Sequence, residues 1–173
     1  MTQEIWDKFK MGYFILYKNS GGLFGDAIVR KQLASGFNKE DAQYTHVEVS
    51  GGENHSVDIA PPTSKLVNIE EAHKGEYAKL VRYKDKNYED RLRYKVAYFS
   101  ATLCNRGYDF QGILSFLFRW VHQNNRMYFC SEGAAWALTK VFPGVMGKEP
   151  DKCMPADFFN SYLFETMWEG KIE

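Results

Sequence analysis

The sequence predicts an α+β domain in which a small antiparallel sheet packs against helices. Three observations carry this. The stretches 44–50 (YTHVEVS) and 55–60 (HSVDIA) alternate apolar and polar residues on either side of GGEN, which is the pattern of a hairpin. GYFILYK (12–18) and YAKLVRY (77–83) read as further strands, the first apolar enough to be buried. Elsewhere the apolar spacing turns helical, at 25–34, at 88–105 and from Cys130 onward.

Taken in order, residues 2–10 form a short helical lead, and NSGG ends the first strand. In GDAIVRKQLA (25–34), Ala27, Ile28, Val29 and Leu33 fall at helical spacing. The hairpin follows, and APP stops it. In 88–105, Val96, Phe99 and Leu103 make the apolar side of a helix, with Arg91, Tyr94, Lys95 and Tyr98 on the other. GYDFQGILSFLFRW (107–120) reads as a turn and then a buried helix. Tyr128 and Phe129 form an extended approach to the next helix. Its face is Ala134, Ala135, Leu138, Val141 and Phe142, which sets Cys130 at or beside the N-terminus. MPADFFNSYLF (154–164) predicts a terminal helix started by proline.

Length fits one domain, residues 1–173. Hydrophobic residues are 45% of the chain, enough for a core without staples. Lys+Arg and Asp+Glu are both 22, so no basic excess points to nucleic acid, and no nucleic-acid partner is expected. Cys104, Cys130 and Cys153 are odd in number and widely spaced, which is not a disulfide framework. No CxxC and no cysteine–histidine pair stands at zinc spacing, and acyl transfer by a thiolate, a base and an oxyanion hole needs neither metal nor organic group, so no metal and no cofactor is expected. The N-terminal stretch lacks the pattern of a secretory leader. GILSFLFRWV is too short to span a bilayer, and Arg119 interrupts it. The expectation is a cytoplasmic protein with no transmembrane segment.

A cysteine at a helix N-terminus meets unpaired N–H groups and the positive end of the dipole, which favour the thiolate. A nucleophilic thiolate needs a base, and the base needs an orienting group. His46 shares a strand face with Glu48 and Ser50, and Ser56, Asp58 and Ala60 share a face of the next strand. With Val47 and Val49 on the same side as Val57 and Ile59, a loop of Gly51, Gly52 and Glu53 puts Asp58 opposite His46 and Ser56 opposite Glu48. A register shifted by two places Ala60 opposite His46 instead, and a slip of one pairs valines with polar residues. The candidate set is Cys130 as nucleophile, His46 as base and Asp58 as orienter, with Glu48 as the other candidate orienter. The backbone N–H groups of Cys130 and Ser131 are candidate oxyanion donors, and the Tyr128 hydroxyl is a further candidate. His55, His73 and His122 read as surface, Cys104 as core and Cys153 as inert.

YTHVEVS and HSVDIAPP, followed later by YDFQGILSF and YFCSEGAAWAL, resemble the circularly permuted, papain-like NlpC-type superfamily, especially its YiiX-like amidase branch. The histidine strand precedes the cysteine helix, which is the permuted order. The likeness covers roughly residues 12–142 and implies a permuted papain-like fold. By that resemblance Cys130 matches the nucleophile and His46 the base. Asp58 stands where relatives carry a polar third residue, often Glu. Tyr13 stands where Asp is common, and Gly133 where bulkier residues are usual, which is expected to open space above the cysteine. The resemblance implies a thiol amidohydrolase or peptidase that cleaves an amide or ester bond through an acyl-enzyme, with a peptide-like or acyl-amide substrate. Two rivals share the fold. One is a lipid acyltransferase or lipase of the lecithin–retinol acyltransferase type. The other is a catalytically silent binding or virion module.

Overall fold

The computed structural model describes residues 1–108 and 128–173. The strands are β1 (Phe14–Lys18), β2 (Tyr44–Gly52), β3 (His55–Asp58), β4 (Lys65–Asn68), β5 (Tyr77–Tyr83) and β6 (Phe164–Lys171). They form one antiparallel sheet in the order β4-β3-β2-β1-β5-β6. The helices are α1 (Gln3–Trp6), α2 (Leu23–Ala34), α3 (Ile69–His73), α4 (Arg93–Ala101) and α5 (Cys130–Val141). The α+β class expected from the sequence is therefore the class observed.

The continuous apolar run of β1 has a simple cause. The strand lies between β2 and β5, and Phe14, Ile15, Leu16 and Tyr17 are all buried, so neither face needs polar residues. Helix α5 packs on β2 and α4 through Ala134, Ala135, Ala137 and Leu138, against Val47, Val49 and Val96. These small side chains let the backbones come close. Gly133 is the extreme case: a methyl group there would run into the Ile59 and Leu103 side chains. It closes the gap between α5 and the end of the hairpin, contrary to the expectation that it opens space above Cys130.

The hairpin register also differs from the expected one. Val49 pairs with Val57 and Ser50 with Ser56, the register shifted by two residues. The strands are joined by Glu53 and Asn54, and an irregularity lies between Ser50 and Gly52. Gly52 (φ 91°) and Glu53 (φ 52°) take left-handed conformations in this tight turn. Gly51 is the extra residue of a bulge, which the alternating pattern does not reveal. Because the shift is by two, every side chain keeps its face.

Three further differences have local causes. Residues 154–164 do not form a helix. Pro155–Phe159 is a 3-10 turn whose Asp157 carboxylate accepts from the Met154 N–H at 2.7 Å, and the chain then enters β6. The second is β4 and α3, which fill the connection to β5 that the sequence reading leaves without elements. The third is the 88–105 segment, which begins as a π-turn over Tyr88–Leu92 before α4. The helix expected after Tyr108, and His122, lie outside the described residues. Among the described residues no helix is long and apolar enough to cross a membrane.

Candidate active site

Two elements distant in sequence meet at one cavity. Cys130 is the first residue of α5, reached from Phe129 in extended conformation (φ −100°, ψ 169°). The Glu132 carboxylate accepts from the Phe129 N–H at 3.4 Å, and the Ser131 hydroxyl donates to the Cys153 carbonyl at 2.8 Å. These bonds fix the first turn of α5 and hence the sulfur. The first-turn N–H groups have no partner within the helix, as at any helix start. His46, on β2, lines the same cavity, whose volume is about 300 Å3. Its other walls include Asn19, Ser20, Phe24, Ile28, Thr45, Pro61 and Tyr108.

The imidazole is held from behind. Its Nε2 lies 3.0 Å from Asp58 Oδ1 and 3.2 Å from Glu48 Oε1. Asp58 thus reaches His46 although the register places it across from Glu48 rather than from His46. The approach is diagonal, a reach open to a polar side chain on a twisted antiparallel pair. With Nε2 committed to carboxylates, Nδ1 is the nitrogen left for the thiol. Burial disfavours the charged ring, but the negative charge of Cys130 and hydrogen bonds with Asp58, Cys130 and Glu48 outweigh it. Together they hold His46 well above its ordinary value.

Glu48, the other candidate orienter, is fully buried. Its Oε1 receives His46 and, at 2.7 Å, His73 Nε2. Its Oε2 receives the Ser56 hydroxyl and the Tyr17 hydroxyl, the latter at 3.3 Å. Burial pushes this carboxyl up, yet the two histidines bring it well below the usual carboxylate range. Both carboxylates therefore touch His46.

His73, a surface residue by its polar sequence neighbours, is buried. It ends α3, four residues after the fully buried Ile69 and so on the same helix face. A signal was present: Asn68 followed by Ile-Glu-Glu is a helix start with an acidic first turn, and Asn68 Oδ1 accepts from the Glu71 N–H at 3.1 Å. Tyr17 pairs with His46 across β1 and β2, which puts both side chains on one face. Tyr128 packs on Trp136, with the ring centroids 5.6 Å apart. Of the other cysteines, Cys104 is half-buried just past α4, and burial pushes the Cys153 thiol up to about 12. His55 sits at the turn end of β3, pairing with Gly52 and Asn68, and not beside Asp58.

His46, Glu48 and Asp58 each offer one ligand atom, all within 4.8 Å of one another. A cation there would have to displace the proton on His46 Nε2, and Glu48 already accepts four donors. The arrangement suits proton handling better than metal binding. No protein-family model matches the chain, and no curated protein is detectably similar to it.

Proposed function

We propose that the chain is a thiol amidohydrolase or peptidase of the permuted papain-like type, with Cys130 as nucleophile, His46 as base and Asp58 as orienter. One observation carries this reading: a cysteine at a helix N-terminus borders the same cavity as an imidazole whose far nitrogen is held by carboxylates. In the first step His46 takes the thiol proton and the sulfur attacks an acyl carbonyl. The oxyanion forms against backbone N–H groups of the first turn of α5. His46 then gives its proton to the leaving amine, and a thioester remains. Water, deprotonated by His46, attacks the thioester and releases the acid and the free thiol. Asp58 keeps the ring in one tautomer through both halves.

The test is the pH dependence of Cys130 alkylation by iodoacetamide, in the unaltered protein and in His46→Ala. The expected result is rapid labelling well below pH 8.5, the ordinary cysteine range, that is lost in His46→Ala. Slow labelling with the same profile in both proteins would favour a silent binding module on this fold. A second reading draws on the apolar lining of the cavity, which includes Phe24, Ile28 and Pro61, with the exposed Leu23 next to Phe24 in α2. It is an acyl group carried on a lipid, as in the lecithin–retinol acyltransferase type. Partition onto liposomes together with hydrolysis of a long-chain ester, but not of a peptide amide, would select it.

A further inference from the structure

We infer that Glu48 ties two imidazole rings together, and that His73 is a positioning residue that limits, through Glu48, how tightly His46 holds its proton. The catalytic meaning of this rests on the proposed function; the contacts do not.

One carboxylate oxygen serves both rings. Glu48 Oε1 lies 3.2 Å from His46 and 2.7 Å from His73, so the shorter bond belongs to the ring that does not border the cavity. Oε2 cannot take a share, because the Ser56 and Tyr17 hydroxyls occupy it. His73 has a carboxylate at each nitrogen, Glu48 at Nε2 and Glu76 at Nδ1, the latter at 3.2 Å. Two carboxylate acceptors require two N–H donors, which is the imidazolium form. The Tyr17 ring stacks on it with centroids 3.9 Å apart, a further preference for the cation. Burial works against the charge, and the bonds and charges of Glu48 and Glu76 outweigh it, raising His73 to about 9.

A standing cation beside His46 has a definite effect. The two ring centroids are 6.5 Å apart, so the charges repel, and both rings draw on one oxygen. Among the described residues the groups that face His46 are Tyr17, Glu48, Asp58, Cys130 and His73, and of these only His73 opposes its charge. Three neighbours stabilise the His46 imidazolium, and an imidazolium held without opposition would not surrender its proton to a leaving amine. His73 keeps that proton transferable.

The test is an NMR titration of the imidazole signals of the full chain, without substrate. In His73→Gln the midpoint of His46 should rise by about one pH unit, the size expected from removing a charge at this separation. In Glu76→Gln, a change at a more exposed position that keeps His73, the His73 midpoint should fall from about 9. A His46 midpoint that stays or falls in folded His73→Gln overturns the inference. So does a His73 midpoint that ignores Glu76→Gln, which also decides the matter if His73→Gln does not fold. A mere loosening of structure would lower the His46 midpoint by freeing it from its carboxylates, the opposite sign. Inert Cys130 with these shifts present would end the hydrolase reading and leave the tie standing. Rapid labelling with the shifts absent would do the reverse.

Discussion

At Nε2 of His46 two carboxylates compete for one hydrogen, at 3.0 Å for Asp58 and 3.2 Å for Glu48. What separates them is their other work. Glu48 also accepts from His73, Tyr17 and Ser56 in a fully buried place, so removing it strands three donors. Glu48→Ala should cost about 3–5 kcal/mol of folding stability, the range for breaking a buried ion pair from one side. Asp58→Ala should cost about 1 kcal/mol or less but slow Cys130 labelling near pH 7 roughly tenfold to hundredfold, the worth of one ionic hydrogen bond. Urea midpoints and alkylation rates on the two variants check both. A wild-type labelling rate in Asp58→Ala would transfer the orienting role to Glu48. The residues of this site were unequally legible in the sequence. Cys130, His46 and Asp58 could be placed because strand alternation and helix spacing assign faces. The burial of Glu48 and the role of His73 depend on α3 folding back over the sheet, which no local spacing encodes.

Among the elements, α5 shows how a small residue positions a nucleophile. Gly133 lies three residues after Cys130, and its missing side chain is the space that Ile59 and Leu103 fill. Gly133→Val should lower stability by about 1–3 kcal/mol through overpacking. It should also slow Cys130 labelling, because α5 must move away from the hairpin that carries Asp58. Unfolding in urea and labelling at one pH measure the two effects. Unchanged labelling would mean that the first turn of α5 is fixed by Ser131 and Glu132 alone. Strand β1 was readable as a continuous apolar run, and β2 and β5 and helices α2, α4 and α5 because each keeps a pattern long enough to see. Strand β6 was not. Leu80 pairs with Trp168 and Val81 with Thr166, so Met167 is an extra residue and the alternation breaks in mid-strand. Its aromatic start, Phe164, packs on Phe14 and Phe158, a long-range reason for a strand that propensity alone does not supply.

For the whole molecule, the site doubles as a set of pH-linked supports, since the buried Glu48, Asp58 and His73 of β2, β3 and α3 meet the half-buried His46. The direction of the linkage follows from the shifts. His73 stands at about 9 when folded and near 6.5 when unfolded. Below pH 6.5 both states carry the proton, and its full stabilisation is present. Between pH 6.5 and 9 the unfolded chain loses the proton while the folded chain keeps it, so stability falls as pH rises. Above about pH 9 the contribution is gone. His46, also raised, adds to the same slope. Glu48 is depressed, so its contribution is present above the ordinary carboxyl range and is lost as the solution is acidified. The molecule should therefore be most stable between about pH 5 and 6.5. From pH 6.5 to 9 the share due to His73 should amount to about 2 kcal/mol once solvent screening is discounted. Urea unfolding at unit pH intervals measures the curve, and His73→Gln should flatten it on the alkaline side. Stability that is level or rising between pH 6.5 and 9 would mean that His73 is neutral in the folded protein. The buried network would then be held by neutral hydrogen bonds instead of by charge.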